Sequence, residues 1–155
     1  MFKHEGIEKE FPSYFKNFKL PDGASESSIE VYRACKTRKV EKPSFLPTFE
    51  ENNFCEPENP TEPSEYSLSV YEKPKDVKRF ASLNGNYSPP WKIAKGTTEP
   101  CCGRVQRTSE RTKEKTSHVD WWLYENALPH EHFEIIDDFG EYLNTHKQTA
   151  ASGIN

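Results

Sequence analysis

Polar side chains that could do chemistry are spread along this chain rather than gathered in one motif. Tyr32-Arg33 lies late in one alternating stretch, Ser67-Leu68-Ser69 lies in another, Trp91 heads a third and Glu125 closes a fourth. Together they offer a guanidinium, three hydroxyls, a carboxylate and two rings. Taken singly each has a plain reading. A strand-end Arg33 would be a surface ion pair worth about 0–1 kcal/mol, Ser67 and Ser69 would share the polar face of an edge strand, and Glu125 would cap a turn. His130-Glu131-His132 would put both imidazoles on one side of a strand, able to meet one ion. No third ligand is evident, so an exposed turn is expected instead. The cysteines are Cys35, Cys55, Cys101 and Cys102. A zinc site would need Cys101 or Cys102 with His118, His130 or His132 over irregular gaps, so ordinary reduced thiols and no metal are expected. There is no phosphate-cradling glycine loop, no H-E-x-x-H and no G-x-S-x-G.

The elements that must position these residues follow from periodicity and punctuation. Ile7, Phe11, Tyr14, Phe15 and Phe18 predict a short amphipathic helix within 6–20, ended by Pro21-Asp22-Gly23. Strands are predicted over 29–34, 66–71, 91–95, 119–124 and 133–137. A helix is predicted over 74–83, with Pro74 in its first turn and Asn84-Gly85-Asn86 after it. Another short helix is predicted over 139–146. Prolines at 43, 47, 57, 60 and 63 exclude a continuous helix or central strand from 42–64. Phe45, Leu46 and Phe49 are expected to pin the first half of that segment to the core, the rest reads as a long acidic loop, and 97–117 reads as a polar loop or lid. The expected architecture is α+β, with small, mostly antiparallel sheet and a few short helices. One domain is expected over 1–147, loop-rich at 42–64 and 97–117, with a disordered tail over 148–155.

Composition narrows the class. The 155 residues are 33% hydrophobic and 30% charged, with a net charge of -4, and mean hydropathy is -0.95. Aromatic residues reach 13%. Each buries roughly 150–250 Å², enough to build a small aromatic core where aliphatic residues are few. No apolar run approaches the ~18 residues of a membrane helix, and the charged opening lacks a signal-peptide segment. A cytoplasmic protein without membrane contact is expected. Arg104, Arg107, Arg111, Lys113 and Lys115 form a basic stretch between acidic flanks. It could meet nucleic acid, but the flanks argue for a solvated loop.

The order of these pieces resembles the Arg–Ser–Glu class of mono-ADP-ribosyltransferases. There a strand-borne Arg precedes a Ser-Thr-Ser strand and a helix often carrying Phe-Ala, here Phe80-Ala81. A later strand presents the catalytic Glu, and a Pro-containing turn, here Pro129, leads to one more strand. The resemblance spans roughly 29–136. It implies NAD as substrate, with Glu125 stabilising the positive charge at the ribose when the bond to nicotinamide breaks. It implies Arg33 on the diphosphate, and Ser67 positioning Glu125 or the ribose. Ser69 would support the strand, Tyr32 or Trp91 would stack on a ring, and 97–117 would meet a macromolecular acceptor. Leu68 stands in place of the family's Thr. Leu123 stands where many relatives carry Gln or Glu, which leaves open another acceptor, simple NAD hydrolysis or an inactive enzyme.

The sequence therefore predicts an ADP-ribosyltransferase-like protein that modifies a protein or nucleic acid, a role suited to a toxin or conflict-system effector. The alternative is a non-enzymatic protein-binding or inhibitor module. It would use exposed aromatics, one of Trp121 and Trp122 among them, and an acidic surface.

Overall fold

A computed structural model describes residues 9–16, 18–54, 56–84 and 91–145. Its centre is a six-stranded antiparallel sheet in the order β4-β5-β2-β1-β3-β6. The strands are β1 (Glu30–Cys35), β2 (Leu68–Tyr71), β3 (Lys92–Thr97), β4 (Gly103–Arg107), β5 (His118–Leu123) and β6 (Phe133–Ile135). The helices are α1 (Thr48–Glu51), α2 (Pro63–Tyr66), α3 (Pro74–Asn84) and α4 (139–145). The fold is α+β, as the alternation and the short apolar stripes predict.

Alternation along the strands divides the core between two faces. Val31, Leu68, Val70, Val119, Trp121 and Phe133 fill one cluster. On the other face Tyr32, Ala34 and Ile93 pack with Val77 of α3, while Trp122 and Tyr124 meet Phe11, Phe15, Phe18 and Tyr66. β1 and β3 run in register from Glu30–Thr97 to Cys35–Lys92, but β1 and β2 meet only at Tyr32–Tyr71. The sheet thus opens between its β4-β5-β2 half and its β1-β3-β6 half.

Several local expectations are corrected. Within the described part of 6–20 the helix is a single 3-10 turn, Ser13–Phe15, entered through Pro12 in an extended conformation. Its aromatic rings are held by stacking: Phe11 on Phe15 and Phe18 on Tyr66. The 42–64 segment holds a 3-10 turn, Lys42–Ser44, then α1 and the start of α2, which Glu62 caps by accepting from the Ser64 N–H. The 97–117 segment is no free lid. It contains β4, which pairs with β5 from Gly103–Leu123 to Arg107–Val119, and a 3-10 turn, Thr108–Glu110. His130 and His132 fall in the 3-10 turn Pro129–His132, the turn expected for them. The expected tail over 148–155 and the Gly85-Asn86 closure lie outside the described residues.

Candidate functional site

β5 (His118–Leu123) carries one acid, Asp120, between Val119 and Trp121. It is fully buried, so it needs partners. Ser67, just before β2, donates from Oγ to Asp120 Oδ1 at 2.6 Å. Thr108 donates from Oγ1 to Oδ2 at 2.8 Å, and Arg111 from Nη2 to the same oxygen at 2.6 Å. Arg111 is itself held by Gln106 Oε1 and Ser64 Oγ, with its guanidinium over the Trp122 ring. On the sheet, Ser69 faces Asp120 directly.

His118 completes the cluster. Its Nδ1 lies 2.5 Å from Thr108 Oγ1 and its Nε2 lies 2.8 Å from Ser69 Oγ. The Thr108 hydroxyl has one proton and gives it to Asp120, so Nδ1 must carry a hydrogen and donate to Thr108. Burial pushes the ring below its ordinary value of 6.5, with Asp120 opposing. A neutral ring then accepts from the Ser69 hydroxyl at Nε2. Burial also pushes Asp120 up, but His118, the Ser67 hydroxyl, Arg111 and Thr108 outweigh it and hold the carboxyl below 3.8. With the ring neutral at pH 7, the hydroxyls and Arg111 keep that carboxylate ionised.

Arg33 on β1 enters the opening between the sheet halves. Its side chain is 1% exposed. Nε donates to the Ser44 carbonyl at 2.9 Å, Nη1 to the Ser69 carbonyl at 2.8 Å, and Nη2 pairs with Glu51 of α1. Phe45 lies against the guanidinium. Arg33 is therefore no surface ion pair. A diphosphate could reach it only by taking the place of Glu51. Ser69 links the two groups, taking Arg33 on its carbonyl and His118 on its hydroxyl. Arg33, Ser67, Ser69, His118 and Asp120 thus form one network across β1, β2 and β5.

Glu125 is not part of that network. It sits in the turn after β5, where its backbone N–H donates to the Glu10 carbonyl at 2.9 Å. It lines a cleft of about 300 Å³ with Glu50, Tyr14, Tyr66 and Trp121, and Ser67 is not in the lining. Ser67 therefore orients Asp120 and not Glu125. Burial, with Glu125 adding to it against Lys42, pushes the Glu50 carboxyl up. The Trp121 indole N–H, buried beside this cleft, has no partner among the described residues.

Tyr32 and Trp91 are engaged elsewhere. Strand alternation sends Tyr32 to the face opposite Arg33, the face that also carries Ser69, His118 and Asp120, and its hydroxyl bonds that of Tyr142. Trp91 packs by Phe80 with Lys36 above its ring. Neither Trp121 nor Trp122 is exposed: both are at 0%, and the Trp122 N–H donates to the Pro63 carbonyl. Among the described residues the exposed large hydrophobics are Phe54 at 39% and Leu128 at 43%, so neither of these tryptophans offers a docking surface. Cys101, Cys102 and His132 bring their donor atoms within 4.8 Å of one another. They are the described residues placed to hold a metal.

Asp120 is the residue that strand patterning passes over. Its signal is a lone acid between Val119 and Trp121, because a charge in a buried strand must be paired. No described helix is long and apolar enough to cross a membrane. Comparison of the chain with known protein families, curated proteins and solved structures finds no match.

Proposed function

We propose that this protein is an NAD-dependent ADP-ribosyltransferase-like enzyme whose functional trio is Arg33, Ser67 and Asp120. The observation that carries the reading is the Ser67–Asp120 hydrogen bond. It joins the serine strand to a carboxylate on the later strand, while Arg33 reaches the same serine strand from β1. Arg33 on β1, Ser67 at the entry to β2 and Asp120 on β5 therefore follow in chain order, with Arg33 on the opposite face of the sheet and joined to the cluster through the Ser69 carbonyl.

The chemistry suits these groups. When the bond from ribose C1′ to nicotinamide breaks, its electron pair leaves with the nicotinamide nitrogen and C1′ becomes cationic. An ionised carboxylate in a low-dielectric site stabilises that centre without reorganising. The acceptor's lone pair then forms the new bond at C1′, and its proton leaves to solvent. Arg33 supplies the donors for the diphosphate, with Glu51 as the carboxylate that a phosphate displaces. Arg111 covers Asp120 from the segment before β5, so substrate entry requires that segment to yield. Acceptors include protein or nucleic acid, and a small transferase of this kind fits a toxin or conflict-system role.

The test is incubation of the purified chain with labelled NAD and a cell lysate, with calorimetry for NAD binding. Label transfer by the wild type, lost in Ser67→Ala and Asp120→Asn variants of unchanged circular dichroism, is the expected result. No NAD binding together with no transfer overturns the reading.

A further inference from the structure

We propose that Cys101, Cys102 and His132 form a zinc site between the turn that enters β4 and the turn that enters β6, distinct from the Asp120 cluster. The three donor atoms lie within 4.8 Å of one another, although His132 follows the cysteines by about thirty residues of intervening chain. The two sulfurs are 4.0 Å apart. Two thiolates about 2.3 Å from one tetrahedral zinc would stand roughly 3.8 Å apart, so the pair needs almost no movement to chelate.

The surrounding backbone fixes both halves of the site. The Cys102 N–H donates to the Glu99 carbonyl at 2.9 Å, and the Cys102 carbonyl accepts from the Tyr124 N–H at 2.8 Å. These bonds tie the cysteine turn to its neighbours ahead of β4. His132 ends the turn leading into β6, whose Phe133 faces Gly96 of β3. A Cβ at Gly96 would fall 2.2 Å from the His132 carbonyl oxygen. That glycine lets the histidine turn approach as closely as it does. Cys101 and His132 are exposed while Cys102 is buried, so an ion can enter from solvent onto an anchored ligand.

Two sulfurs and one imidazole select a borderline-soft ion over calcium or magnesium, which take oxygen ligands. Three protein ligands leave the fourth tetrahedral position to water. Binding releases the thiol protons to solvent and forms two metal–sulfur bonds and one metal–nitrogen bond, with no change of oxidation state.

Cobalt reads the site directly. The reduced full-length chain, titrated with Co²⁺ under a non-thiol reductant, is expected to bind one equivalent with thiolate-to-cobalt charge transfer and tetrahedral visible bands. Zn²⁺ is expected to bleach both. Cys101→Ser and His132→Gln alter exposed side chains and leave the fold intact. Each should weaken Zn²⁺ binding, measured against a chromophoric chelator, by more than the roughly 10–100-fold that losing an outer-shell partner costs. Absence of the charge-transfer band in the reduced wild type overturns the proposal. So does unchanged affinity in His132→Gln, which would make the cysteine pair an ordinary dithiol.

Discussion

Asp120 carries a charge into a place with no water, and every atom that steadies it has a consequence for pH. The folded chain holds Asp120 below 3.8 and His118 below 6.5, so it binds fewer protons than the unfolded chain through both ranges. Stability therefore rises with pH wherever either group titrates. The His118 contribution is complete above 6.5 and declines as pH falls through that value. The Asp120 contribution is complete above 3.8 and is lost as pH falls further, through the folded value. Urea denaturation should show both declines, and His118→Gln should remove the upper one alone. Retention of that upper decline in His118→Gln would contradict the assignment. Arg33 and Glu51 make the second residue-scale prediction. Their side chains are 1% and 10% exposed, so Glu51→Ala leaves a buried cation unpaired and should cost about 3–5 kcal/mol by urea denaturation. Inorganic pyrophosphate should then stabilise Glu51→Ala more than the wild type, because it can fill the vacated partner position. Equal stabilisation of both would remove Arg33 from phosphate binding.

The β4-β5 pairing is the element on which the site depends, since Thr108 and Arg111 follow β4 directly and Asp120 lies on β5. Gly103 lets the two strands close: a Cβ there would sit 2.1 Å from the Trp122 carbonyl oxygen. Gly103→Ala is expected to cost about 3 kcal/mol or more, measured by thermal denaturation, whereas a loss under 1 kcal/mol would show that β4 is not packed as described. β4 was also the hardest strand to see in the sequence. Only Val105 of Gly103-Arg104-Val105-Gln106-Arg107 is apolar. Gln106 is buried through its bond to Arg111, so its polarity hides an inward position. The edge of β4 is closed by Ser25, which exchanges backbone bonds with Val105 at 2.9 and 2.8 Å. No pattern local to β4 announces that pairing. By contrast β1, β3 and β5 alternate clearly enough to be read unaided, and α3 follows from Pro74 and the spacing of Val77, Phe80 and Ala81. α1 and α2 have four residues each, too few for a 3.6-residue period to register. The N-terminal aromatics carry helical spacing, yet ring stacking, not a helix, is what they serve.

Across the whole molecule the sheet opens between β1 and β2, and Arg33 fills the opening with bonds that backbone pairing would otherwise make. Arg33 and Ser67 were legible as candidates from type and order. Asp120 was not, because its importance comes from which strands are neighbours. The sheet order puts β5 against β2, and that adjacency hands Ser67 to Asp120 and leaves Glu125 in a separate cleft. The same layering buries all three tryptophans, Trp91 at 8% and Trp121 and Trp122 at 0%. Their emission should be blue-shifted and nearly insensitive to acrylamide, and strong quenching would restore the aromatic docking face. Nicotinamide release from NAD by the wild type, Asp120→Asn and Glu125→Gln, each checked for native tryptophan emission, bears on the role of Asp120 without further assumptions. Release is expected from the wild type and from Glu125→Gln, and none from folded Asp120→Asn. Release that survives in Asp120→Asn and disappears in Glu125→Gln, or no release by the wild type, would contradict that role.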